Sequence, residues 1–300
     1  MTRTQGNNAD VTSGRVPVEG FTLAFEEVPV LVDAFRRMVR ELAYDVCEMA
    51  FTTYLCAREH GVPFTALPVF LVRGFHHGAI VRAAGGPVRH PKDLEGRRVG
   101  VNRGYTVTTG VWARAVLARE YGVDLDRVTW VPSGDEHVEA YRPPANVAPL
   151  GPGRSLKRAL LDGDVDAAVG VGADGPDIVP LVPDPDEAGY AALRTGGLYP
   201  INHLVVVRDD LLAAHPSLAT ALTRAFTAAK EAYVRRLADG VVADPTDAMY
   251  ARVMRETRAD PLPYGVAANR PMIDELIENA LRQRILTRAP AAESLFAAGS

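Results

Sequence analysis

Apolar and polar positions along the chain alternate between strand-like and helix-like spacing. Residues 21–30, FTLAFEEVPV, read as a strand running into a loop. Leu31 to Glu41 places its apolar residues at helical spacing, and a second helix is expected to start at Tyr44-Asp45-Val46 and to carry Glu48, Phe51, Tyr54 and Leu55. The unbroken apolar run 64–72, FTALPVFLV, suits a buried strand of a mixed sheet. After a charged turn at 90–98, the short strand 99–101 leads through NRGYTVTTG into an amphipathic helix, Val111 to Tyr121, which Gly122 caps. A strand at 128–131, a helix at 155–162 and a strand at 165–171 continue the alternation, which predicts a doubly wound sheet. A Pro/Asp-rich stretch, 176–187, precedes a strand at 204–207. Helices are expected from Leu211 to Leu237 and from Met272 to Leu286, with a loop at 260–265.

Three hundred residues suit two lobes at about 150 residues each. A discontinuous layout follows, with residues 1–90 and 201–300 forming lobe 1 and 91–200 forming lobe 2. Each lobe is a mixed sheet flanked by helices, and loops at the strand ends face a cleft between lobes, giving a two-lobed α/β fold. The chain is 47% hydrophobic with a net charge of −4, so no nucleic-acid partner is expected. It has no run of 18 apolar residues, which argues against membrane insertion, and residues 1–16 have no apolar segment of the kind an export signal carries. A cytoplasmic location is therefore expected, or a periplasmic or extracellular one if a leader has been removed. Two cysteines, Cys47 and Cys56, are too few for a disulfide framework and read as buried thiols. The apolar residues of 213–233 suit either core or a homodimer face, with core the commoner outcome.

Candidate chemistry sits at predicted strand ends. His76-His77 follows the apolar run, and on an extended chain only one of the pair would face a ligand. Arg103, Tyr105, Thr106, Thr108 and Thr109 lie between a strand and a helix, where free backbone N–H groups, hydroxyls and a guanidinium suit an anion, carboxylate above all. The loop matches neither a Walker motif nor a dinucleotide fingerprint, and no cofactor is expected. Glu48, among apolar neighbours, suits a proton donor or base, or a structural ion pair. Glu136 and His137 form an acidic–imidazole loop cluster, and Asn202 and His203 precede a strand. Asn269 is either a ligand contact or a loop stabiliser. His76, His77, His137 and His203 with Glu48 or Glu136 are suitable metal ligands by type, but without a motif spacing.

The segments GRVPVEG (14–20), YDVCEMAFTTY (44–54), LPVFLVRGFHHGAI (67–80), DLEGRRVGV (93–101), TTGVW (108–112), LYPINH (198–203) and YGVAANR (264–270) occur in one order across the chain. In that combination the sequence resembles the family of 4,5-dihydroxyphthalate decarboxylase and its relatives, which belong with the type II substrate-binding proteins; the resemblance implies the two-lobed type II periplasmic-binding-protein-like α/β fold. The chain departs from the family pattern at Gln5-Gly6-Asn7-Asn8, where a Tyr-Asp-Arg-like triplet is usual, and at His76, where an arginine is usual. The resemblance favours His77 as the cleft histidine and gives His203 a cleft role. It implies a cofactor-independent decarboxylase acting on a small aromatic or cyclic carboxylate; in that reading His77 and His203 share proton delivery and Glu48 or Glu136 orients them, with His137 a further acid/base candidate from its loop position. The alternative it allows is a non-catalytic binding protein that hands a small anion to a transporter permease. A ligand sensor or another small-molecule enzyme on this fold is the third class.

Overall fold

The computed structural model describes residues 1–28 and 30–299. Among the described residues, eight strands follow one another: β1 Val46–Ala50, β2 Phe64–Arg73, β3 Ile80–Ala83, β4 Arg98–Val101, β5 Thr129–Pro132, β6 Ala167–Val169, β7 Ile178–Pro180 and β8 Ile201–Arg208. The chain divides into two compact units, Met1–Gly74 with Ile201–Asp274 and Pro290–Ser300, and Phe75–Pro200 with Glu275–Ala289. The first crossing thus falls at Gly74, earlier than residue 90, and residues 275–289 return to the second unit.

In the first unit β8 is the middle strand of the order β1-β8-β2, antiparallel to both neighbours. Both faces of β2 are covered, which explains its continuous apolar run. Leu67, Val69 and Leu71 pack with Leu218, Leu222, Ala225 and Phe226 of the helix Leu218–Ala238. Phe64 and Phe70 stack against Tyr54 and Phe51 on the other side, at 6.0 Å in each case. Pro68 has no N–H to give the ladder, and the β2–β8 register shifts between Leu67 and Val72.

The expected helix from Tyr44 is a strand over its first part. Residues 46–50 pair with β8, and the helix starts only at Phe51 and runs to Glu59. The apolar residues at 46, 47, 49, 50, 51, 54 and 55 satisfy either period, and sheet pairing decides between them. The strand expected at 21–30 does not form over 21–28, where a single bridge joins Val18 and Phe21; Pro29 lies outside the described residues. The helix expected from Leu211 to Leu237 is two, Asp209–Ala214 and Leu218–Ala238. Pro216 separates them, since a proline disfavours helical geometry in the residue before it.

The second unit holds five strands in the order β5-β4-β6-β3-β7, with β4 parallel to β5 and β6, and β3 antiparallel to β6 and β7. The helix Thr108–Tyr121 ends at Gly122, whose φ of 62° supplies the left-handed turn and whose N–H reaches Leu117 O. It is not amphipathic as expected: Gly110 to Leu117 are all buried, Arg114 among them. The Pro/Asp-rich stretch 176–187 contains β7 and the start of the helix Pro185–Gly196. Proline at the first helical position followed by Asp186 and Glu187 is a helix-start signal. Among the described residues, no helix is long and apolar enough to cross a membrane. Cys47 and Cys56 are buried and form no disulfide.

Candidate functional site

The first unit builds a histidine–carboxylate pair from two neighbouring strands. Glu48 on β1 lies opposite Val205 on β8, and Ala50 lies opposite His203. His203 is two residues from Val205 and so projects from the same face, as a diagonal neighbour of Glu48. The Glu48 carboxylate is wholly buried, and its Oε1 lies 2.6 Å from His203 Nδ1. Its Oε2 accepts from Thr2 Oγ1 at 2.9 Å and from the Arg3 N–H at 3.0 Å. Burial pushes the Glu48 carboxyl up. The hydrogen bond and charge of His203, with the donors from Arg3 and Thr2, outweigh it and hold the group below its ordinary value.

Both Glu48 oxygens are therefore engaged as those of an anion, and His203 has its Nδ1 fixed. The His203 side chain retains 18% exposure, and the Phe35 ring sits edge-on against it at 5.3 Å between centroids. This is the arrangement by which a carboxylate sets the tautomer of an acid/base imidazole. Asn202, its neighbour on β8, is half-buried.

Asn8, in the N-terminal stretch that departs from the pattern the chain resembles, holds the two donors to Glu48 in place. Asn8 is fully buried, and its amide donates to Thr2 Oγ1 at 3.1 Å and to Arg3 O at 2.9 Å. Asn7 donates to Leu71 O at 2.8 Å. The Asn269 amide donates to Pro263 O and Gly265 O at 2.8 and 2.7 Å, and its oxygen accepts from Arg73 at 2.9 Å.

In the second unit His76 and His77 do not sit on an extended chain. His77 opens a short 3-10 turn, and both are buried. His77 Nε2 meets the Glu120 carboxylate at 3.0 and 3.1 Å, while its Nδ1 is buried with no hydrogen-bond partner. Glu120 belongs to the last turn of the helix Thr108–Tyr121 and drew no attention in the sequence.

The loop expected to bind a ligand carboxylate holds one from its own chain. Glu136 Oε1 accepts from the Tyr105 N–H at 2.5 Å, and Oε2 accepts from the Thr106 N–H at 3.1 Å and from Thr106 Oγ1 at 2.6 Å. Tyr105 and Thr106 thus serve Glu136, and the Glu136 carboxylate serves the loop. The carbonyl on the other side of the same Tyr105–Thr106 peptide accepts from Arg114 Nη2 at 2.6 Å. Arg114 is fully buried, with its guanidinium 4.0 Å from the Tyr105 ring centroid and its Nε 2.6 Å from Gln283 Oε1. One peptide unit therefore bridges a buried cation and a carboxylate, its dipole aligned with both. A lone arginine within VWARAVLA was the signal for this cation in the sequence.

Arg103 has a φ of 72°, and its side chain is exposed. Its N–H donates to Ser133 Oγ at 2.9 Å and its carbonyl accepts from the Gly134 N–H at 3.2 Å. Val107 occupies the helix N-cap with no side-chain cap, followed by buried Thr108 and half-buried Thr109. His137 is buried beside Glu136 in the chain. Among the described residues, no three or more His, Cys, Asp and Glu side chains gather as a metal site.

Comparison with known proteins agrees with this architecture. Residues 36–151 match the family described as NMT1/THI5 like. The chain is 30% identical to a 4,5-dihydroxyphthalate decarboxylase of Comamonas testosteroni over 282 residues, covering 88% of this chain and 85% of that protein. It is 31% identical over 175 residues to a protein of the same name from Pseudomonas putida, covering 53% of this chain and 64% of that one. Among solved structures, the periplasmic aliphatic sulphonate binding protein SsuA of Escherichia coli superposes with a TM-score of 0.53 at 11% identity, over 97% of this chain and 91% of that one. The alkanesulfonate-binding protein SsuA of Xanthomonas axonopodis pv. citri, bound to MOPS, gives 0.52 at 14% identity over 97% and 94%. The fold is thus that of the periplasmic binding proteins. The chain belongs to the family of 4,5-dihydroxyphthalate decarboxylase and its relatives.

Proposed function

We propose that the chain is a cofactor-independent decarboxylase of a small hydroxylated aromatic or cyclic carboxylate, of the phthalate type, with His203 as its acid/base group. The observation that carries this reading is the 2.6 Å contact between buried Glu48 and the partly exposed His203. The name of the relatives supplies the reaction class.

Loss of carbon dioxide from an aromatic ring needs a place for the electrons of the breaking C–C bond. In 4,5-dihydroxyphthalate each carboxylate has a hydroxyl para to it. Polarising that hydroxyl pushes electron density to the carboxyl-bearing carbon, which takes a proton from a general acid. The C–C bond then breaks, its electron pair restores the aromatic ring, and carbon dioxide leaves. The net change is one proton gained by the ring and one carboxylate released as carbon dioxide. His203 delivers the proton, and Glu48 stabilises the imidazolium that carries it. In the second unit, exposed Arg103 with Thr108 and Thr109 is suited to a carboxylate, and Glu120 holds His77 as a support for the segment after β2.

The test is incubation of the purified chain with 4,5-dihydroxyphthalate and related hydroxylated acids, following carbon dioxide by mass spectrometry. Loss of one carboxyl group, abolished by His203→Gln, is the expected result. Binding of these acids without turnover of any of them would instead assign the chain to the non-catalytic carriers of this fold.

A further inference from the structure

The Gly104–Thr106 loop has every feature of a carboxylate-binding cradle except an outside ligand. Two successive backbone N–H groups and a hydroxyl converge on one carboxylate, an arrangement that concentrates positive potential on an anion. Buried Arg114 reinforces it from behind through the Tyr105 carbonyl. Gly104 keeps the space open: a Cβ there would stand 2.6 Å from Glu136 Oε2 and 2.9 Å from Asp135 O. The cradle is thus shaped to its occupant sterically as well as electrically.

We propose that this loop is a carboxylate site whose resident ligand is Glu136, and that it takes a free small carboxylate once that side chain is removed. Glu136 then works as a tethered anion that closes loop 102–106 onto loop 133–136, and not as a proton carrier. Carboxylates of any substrate are left to groups other than the Tyr105 and Thr106 amides. This inference does not depend on the decarboxylase reading, since its test uses no turnover.

The experiment compares thermal unfolding of the full chain and of Glu136→Ala in sodium formate and in sodium chloride at equal ionic strength. Formate is expected to raise the midpoint of Glu136→Ala by roughly 2–4 °C over chloride and to leave the wild-type midpoint unmoved. Adding Gly104→Ala to Glu136→Ala is expected to abolish the formate effect, because the new methyl group fills the cradle. If Glu136→Ala does not fold in chloride, refolding in formate is the readout, with recovered folded protein expected. Equal behaviour of Glu136→Ala in formate and chloride, or a formate shift that survives Gly104→Ala, would overturn the proposal.

Discussion

Two histidine–carboxylate pairs, one in each unit, have their burial reversed. In the first, the Glu48 carboxylate is 0% exposed and the His203 side chain 18%; in the second, His77 is 1% exposed and Glu120 24%. The partners are the same residue types at similar distances, yet their chemistry differs. A buried carboxylate surrounded by donors stays ionised and holds an imidazole that keeps part of its surface exposed. A buried imidazole tied to a more exposed carboxylate has little surface to offer a substrate. Under the proposed function, solvent access and not residue identity assigns proton chemistry to the Glu48–His203 pair.

The largest effect that would sharpen this contrast is at His203. His203→Gln removes the proton carrier and is expected to lower turnover by roughly 10²–10⁴-fold; it also removes the countercharge of buried Glu48, at a cost of about 1–3 kcal/mol in denaturant unfolding. Glu48→Gln follows, through loss of tautomer control and of the countercharge, with turnover down by about 10²-fold. It also sets an amide against the Thr2 and Arg3 donors and is expected to cost about 1–3 kcal/mol in denaturant unfolding. His77→Gln and Glu120→Gln are expected to leave turnover near wild type, with a stability loss of at most about 1–3 kcal/mol. A collapse of turnover in either would break the contrast.

The smallest effect is in acid. Glu48 is held below its ordinary value near 4.5, so its contribution to stability is complete above that pH and is lost as pH falls through the folded value. Denaturant unfolding of the wild type should therefore weaken below about pH 4.5 more steeply than that of Glu48→Gln, in which this group no longer titrates.

Much of the frame was legible in the residues. The run 64–72 was long and apolar enough to be a buried strand, and Gly122 marked a helix end by its position. What escaped depended on long-range contacts. Nothing local separates helix from strand at 46–50, where the apolar spacing fits both, so the pairing with β8 that sets Glu48 beside His203 could not be read. Thr2, Arg3 and Asn8 lie more than 150 residues from His203, and their support of Glu48 has no local pattern. The loop 102–109 was recognisable as anion-binding, but that its anion is Glu136 follows only from the fold, which brings together segments 30 residues apart. Pro185 with Asp186 and Glu187, by contrast, is a helix-start signal in the residues themselves, inside the Pro/Asp-rich stretch.

The most direct test of the account is turnover of 4,5-dihydroxyphthalate by His203→Gln and His77→Gln side by side, with carbon dioxide as the readout and the folded state of each variant checked by its unfolding midpoint. The account predicts that His203→Gln is folded and inactive while His77→Gln is active. An active His203→Gln, or an inactive but fully folded His77→Gln, would contradict it.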